Sequence, residues 1–136
     1  MRIVLPIDGS RGAHRALRYV VSRAKGGATL AVELVRFKWP MLPDALWPML
    51  AAAPGGTAES LLARDARALL AMRSIPYRTH CTIGDPARTI ARVAQAYDCN
   101  EIVMGRMGLS GLMQRALRSL PERVARLAQR SVTVID

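Results

Sequence analysis

The first 37 residues leave little freedom in how this chain folds. Arg2-Ile3-Val4-Leu5-Pro6-Ile7 is a short apolar run rich in β-branched residues, and it stops at Asp8-Gly9-Ser10, a turn and helix-capping cluster. Ala13, Ala16, Leu17, Val20, Val21 and Ala24 then recur at three- and four-residue spacing, with Arg11, Arg15, Arg18 and Ser22 on the opposite face. That spacing predicts an amphipathic helix ended by Gly26-Gly27, after which residues 29–37 are apolar and extended again. Two buried strands joined by one helix form a right-handed parallel crossover.

The rhythm continues. Thr57 is placed to cap a second helix reaching residue 74, with Leu61, Leu62, Ala66, Leu69 and Leu70 on its apolar face and Pro76 beyond it. Tyr77–Ile83 reads as a third strand. Gly84-Asp85-Pro86 sets an N-cap acid before a proline at the first helical position, and Ala87, Ile90, Ala91, Ala94 and Tyr97 line one face of a third helix. Residues 101–104 read as a fourth strand, and Ser131–Ile135 as a fifth. Such alternation predicts one α/β domain over residues 1–136, a Rossmann-like parallel sheet covered on both faces, with ligands at the carboxyl ends of its strands. Residues 38–56 interrupt it. Pro40, Pro43, Pro48, Pro54 and Gly55-Gly56 exclude a continuous helix there, and Trp39, Met41, Leu42, Leu46, Trp47, Met49 and Leu50 make the loop apolar. It folds onto its own domain, closes as a lid or meets another subunit.

Composition narrows the function classes. With 51% hydrophobic and 22% charged residues the chain is globular, and its two cysteines, Cys81 and Cys99, are too few for a secreted disulfide framework. No apolar run of membrane-spanning length and no leader pattern occurs, so a cytoplasmic location without membrane attachment is expected. A net charge of +10, carried almost entirely by arginine, attracts polyanions. No aromatic residue sits within a basic cluster as a base-stacking platform would need, and this reading disfavours nucleic acid. His14, His80, Cys81 and Cys99 read as structural or solvated groups, because strand neighbours His80 and Cys81 point to opposite faces and form no dyad. Arg123, Arg126 and Arg130 read as a solvated helix face opposite Leu120, Val124 and Leu127. Without paired carboxylates, a metal-ligand cluster or a nucleophile elbow, no catalytic or metal-binding residue is assigned, and a binding or regulatory protein is expected.

The most informative stretch is Gly105-Arg106-Met107-Gly108-Leu109-Ser110-Gly111, directly after the fourth strand. Glycines at three-residue spacing permit positive φ and close backbone approach, so their amides are able to converge on an anion; a purely structural turn has the same spacing. Ser119-Leu120-Pro121-Glu122 has a capping-box form, and the free amides it opens would also suit phosphate.

Taken together, these motifs resemble the universal stress protein family over the whole length. Val4-Leu5-Pro6-Ile7-Asp8-Gly9-Ser10 is similar to its first strand and turn, and Gly84-Asp85-Pro86 to its marker before the third helix. Ile102-Val103-Met104-Gly105, Gly108-Leu109-Ser110-Gly111-Leu112, Ser119, Glu122-Arg123-Val124 and residues 132–135 follow its terminal signature in order. The resemblance implies a five-stranded parallel sheet of order 3-2-1-4-5 and a homodimer through the last strand, with a protein partner the sequence does not identify. It also implies a stress-response module that binds ATP, with Mg²⁺, over the carboxyl edge, with only slow incidental hydrolysis. Pro6, Asp8, Val35 and Met104 would surround adenine and ribose; Gly105, Gly108, Ser119 and the amide of Leu120 would cradle the phosphates. One position departs from the family pattern of Gly-x2-Gly-x9-Gly-Ser/Thr: Arg118 stands where the third glycine belongs. Its side chain either fills the phosphate space or grips phosphate itself, so the alternative is a member that binds no nucleotide and acts as a dimeric protein-interaction module.

Overall fold

A strand that is apolar on both faces belongs in the middle of a sheet, and that is where β1 (Arg2–Ile7) lies. The computed structural model describes residues 1–7, 11–38, 58–83, 85–106 and 120–136. Their order is β1, α1 (Arg11–Lys25), β2 (Ala31–Lys38), α2 (Ala58–Met72), β3 (Tyr77–Ile83), α3 (Pro86–Ala96), β4 (Glu101–Gly105), α4 (Leu120–Ala128) and β5 (Ser131–Ile135). Apart from Lys38, which ends β2, the apolar 38–56 loop lies outside the described residues.

All strand pairs are parallel, and the sheet order is β3-β2-β1-β4-β5, as expected. The period-two alternation of each strand divides the core in two. Ile3, Leu5 and Ile7 pack with Ala13, Ala16, Leu17 and Val20 of α1 and Ala66 and Leu70 of α2 on one face. Val4, Val35, Ile102 and Met104 pack on the other face with Ala87 and Ile90 of α3 and Leu120 and Val124 of α4. The six side chains expected on the apolar face of α1 are inside or partly inside, and its arginines at 11, 15 and 18 are exposed.

The N-cap acid and following proline expected at the start of α3 are in place, and one expectation about the arginines of α4 is corrected. Asp85 occupies the N-cap position of α3 but makes no capping hydrogen bond. Its carboxylate instead accepts from the Arg123 guanidinium at 2.9 Å, tying the start of α3 to α4, because a cationic donor outcompetes a backbone amide. Arg123, Arg126 and Arg130 do not form one solvated face: Arg123 holds Asp85, Arg130 lies beyond the helix and holds Asp98 at 3.1 Å, and Leu127 is 42% exposed while Ala128 takes the inner position.

Helix exits are more uniform. Gly27 closes α1 at φ +95°, and Ser74, Asp98 and Gln129 adopt positive φ after α2, α3 and α4. After α2 the Ser74 amide donates to Ala71 O at 3.0 Å and the Ile75 amide to Leu70 O at 2.9 Å, the paired bonds of a Schellman cap. Serine strains at φ 56° where glycine does not. Ser74→Gly is therefore expected to stabilise the fold by about 1 kcal/mol, read as a higher urea midpoint at unchanged slope.

Candidate functional site

In this sheet order the chain reverses direction of growth between β1 and β4, and a crevice forms where the two connections leave in opposite directions. Sequence chemistry widens it. Pro6 has no N–H to give to a neighbour, and the β1/β4 ladder runs only through Ile3↔Glu101 and Val4↔Ile102, whereas β1/β2 runs from Arg2↔Ala31 to Ile7↔Arg36. Beyond Val4 the carboxyl halves of β1 and β4 are therefore not laddered to each other.

On one side of that opening, α1 comes down directly on β4. A Cβ built on Gly105 would stand 2.6 Å from the Cα of Gly12 and closer still to its carbonyl, and one built on Gly12 would stand 2.8 Å from the carbonyl carbon of Arg106. Backbone touches backbone, which only two glycines permit. This contact fixes the exit of β4 against the first turn of α1.

Toward the same edge lie three of the four residues expected around adenine and ribose. Pro6 and Val35 are in register across β1 and β2. Val35, Met104 and Leu120 belong to one buried cluster under α3 and α4. Their side chains are 0–1% exposed, packed in the core beneath that edge. Gly105 lies at the end of β4, and the amide of Arg106 donates to Ile135 O at 3.1 Å, extending the β4/β5 ladder. The Arg106 side chain pairs with Asp136, and that hydrogen bond, with the nearby negative charge, raises its already high pKa. Leu120 opens α4, a nine-residue helix with Glu122 in its first turn. Pro6, Met104 and Gly105 thus lie toward the carboxyl ends of their strands, with Val35 in register with Pro6 and Leu120 in the cluster of Val35 and Met104; Asp8, Gly108, Arg118 and Ser119 lie outside the described residues.

The other singled-out residues lie elsewhere. His14 is exposed on α1, and Cys81 is exposed. Cys99 is buried, and burial first, with the charge of Glu33 adding, pushes its thiol up to about 11, out of the nucleophilic range. His80 is not solvated: its Nε2 lies 2.6 Å from Glu33 Oε2, inside the sheet's α3-facing layer. Among the described residues no group of three His, Cys, Asp or Glu side chains could hold a metal ion, and no helix is long and apolar enough to cross a membrane.

Sequence reasoning overlooked Gly12 and Glu33, although both carry a signal. A glycine inside the first turn of a helix weakens that helix by about 1 kcal/mol relative to alanine, so it implies a need for close approach. A carboxylate within a strand apolar on both faces requires a buried partner.

The fold has known counterparts. It superposes on the universal stress protein UspA from Lactobacillus plantarum with a TM-score of 0.70, at 23% identity, covering 100% of this chain and 97% of that one. A universal stress protein in complex with cAMP gives 0.69 at 20% identity, covering 100% and 96%. The universal stress protein from Archaeoglobus fulgidus in complex with dAMP gives 0.63 at 19% identity, covering 100% and 98%. Along residues 1–136 the sequence also matches the profile of the Universal stress protein family, and the chain belongs to that family.

Proposed function

We propose that this chain is a nucleotide-binding stress-response module, taking an adenine nucleotide over the carboxyl edge of its sheet and catalysing no rapid reaction. The backbone contact between Gly12 and Gly105 carries the reading, because it sets the first turn of α1 against the exit of β4 at the switch point in strand order, at the carboxyl edge toward which Pro6 and Met104 also lie. Structural counterparts in complex with cAMP and with dAMP support adenine as the base. In this reading Asp8 accepts from the ribose hydroxyls, and Gly105, Gly108, Ser119 and the Leu120 amide face the phosphates. ATP with Mg²⁺ is the finer proposal, and Arg118 is the residue that governs it.

Isothermal titration with AMP, cAMP and ATP–Mg²⁺ tests the reading, alongside melting with each ligand at millimolar concentration. Saturable heat is expected with at least one of them, and a ligand at 100 times its Kd should add about 2.7 kcal/mol of stability. No heat and an unmoved melting curve with all three would discard it. Arg118→Gly then separates two roles: ATP affinity rises if the guanidinium occupies the triphosphate space and falls if it grips phosphate.

A second reading, a dimeric protein-interaction module, is favoured by β5. This strand ends the sheet order at β4, and Val132, Val134 and Ile135 along it are half-buried. A β-branched edge of this kind pairs readily with a copy of itself. Light scattering at micromolar concentration should give twice the chain mass; a monomer removes the dimer.

A further inference from the structure

Among the described residues some arginines are paired with carboxylates, and others, on more than one face, are exposed without one. Most carboxylates among the described residues are taken: Glu33 faces Arg2 and His80, Glu101 holds Arg23 at 2.6 Å, Asp85 holds Arg123, Asp98 holds Arg130, and Asp136 holds Arg106. On the face built by α1 and α2 the cations have no such partner among the described residues. Arg11, Arg15, Arg18 and Lys25 are exposed along α1, a helix with no acidic residue, and Arg64 and Arg73 are exposed on or just beyond α2, with Asp65 as the exposed carboxylate beside them. By the helical rise of 1.5 Å per residue, the α1 stripe is about 21 Å long.

Between the two helices runs a groove of about 270 Å³, lined by Arg18, Val21, Ser22 and Lys25 from one side and Leu69 and Arg73 from the other. Its walls are cationic and its floor apolar. Because α1 runs back from the carboxyl edge, the groove lies toward the amino edge, away from Gly12 and Gly105. It is therefore separate from the proposed nucleotide site and does not depend on that reading.

We infer that the α1–α2 face grips the phosphodiester backbone of a nucleic acid duplex without reading its sequence, the strand following the groove between Arg18, Lys25 and Arg73. A line of guanidinium groups suits a linear polyanion, since each fork offers a bidentate grip on one phosphate. The sequence reading disfavoured nucleic acid for want of stacking aromatics, but stacking serves unpaired bases, and a duplex backbone is held by charge. An anionic membrane fits less well. Among the described residues of α1 and α2 the exposed large apolar side chain is Met72, at 79%, and a single methionine gives little to insert.

Fluorescence anisotropy with a labelled 20-base-pair DNA duplex between 50 and 200 mM KCl tests this. The intact protein should bind saturably, with log K falling linearly against log salt. Arg18→Gln/Lys25→Gln/Arg73→Gln should flatten that slope by about 2.7, or 0.9 for each phosphate no longer neutralised, and weaken binding at 50 mM at least tenfold. Arg92→Gln/Arg126→Gln, which removes exposed charge from α3 and α4, should leave affinity within twofold. Because the substituted groove residues are exposed, melting curves should match the parent; if the triple variant melts early, the single variants Arg18→Gln and Arg73→Gln are read instead, each flattening the slope by about 0.9. Absence of saturable binding at 50 mM, equal weakening by both sets of substitutions, or binding to phosphatidylserine vesicles in place of duplex would overturn the inference.

Discussion

Replacing Gly105 with alanine should destabilise the protein by about 3 kcal/mol or more, a large share of the roughly 5–15 kcal/mol that holds a domain of this size together. The added methyl group would stand 2.6 Å from the Gly12 Cα and closer to the Gly12 carbonyl. No rotamer relieves such an overlap, because both partners are main chain, so α1 must lift from β4 or β4 must leave the sheet. Lifting α1 uncovers Leu17 and Val20 and breaks the layer they share with Leu5 and Val103. Gly12→Ala meets Arg106 at 2.8 Å from the other direction and should cost a similar amount, even though alanine is the better helix former. The Gly12→Ala/Gly105→Ala pair should fall well short of the sum, since the first substitution already separates the elements. Urea unfolding of the three variants measures this; a loss under 1 kcal/mol in either single variant would mean that the two backbones do not touch in solution.

That contact marks where sequence reading stops. The strands and helices were legible because burial writes itself as periodicity: Ile3, Leu5 and Ile7 alternate with Val4, and Ala13, Leu17 and Val20 repeat at helical spacing. Pro6, Met104 and Gly105 were singled out because they fall inside motifs quoted in full, and the strands place all three toward the carboxyl edge, with Val35 in register with Pro6. What periodicity does not carry is which surfaces meet. Gly12 and Gly105 lie far apart in sequence, and neither has a side chain whose polarity would hint at the other. The choice of Asp85 between a backbone amide and Arg123 likewise depends on how α4 packs beside α3. Charge segregation was hidden for the same reason, since +10 is a sum and the pairing of individual arginines is a property of the fold.

His80→Leu should cost about 3 kcal/mol, and the informative comparison is with the double substitution. Glu33 is 2% exposed and faces His80 Nε2 at 2.6 Å, with the half-exposed Arg2 guanidinium more distant at 3.7 Å. Taking away His80 leaves a buried carboxylate whose nearest cation is screened by water, which places the loss at the lower end of the 3–5 kcal/mol seen when a buried pair is broken. Glu33→Leu should cost less, about 1–2 kcal/mol, because His80 lies closer to solvent and keeps its ring contact with Tyr97 at 4.8 Å. Glu33→Leu/His80→Leu should return to within about 1 kcal/mol of the parent, since two apolar neighbours then replace two polar ones in an apolar layer. A coupling of about 2 kcal/mol or more across the four proteins, from urea unfolding, is the expected result, and additivity within 0.5 kcal/mol would show that the pair is not a unit. The pair's value then lies in placement. β3 is an outer strand, and a slip of one residue against β2 would turn His80 to the opposite face and leave Glu33 alone in the core. The acid and the imidazole make the native register Val35↔His80 the one alignment in which both are satisfied, and that alignment holds β3 beside the strand that carries Val35.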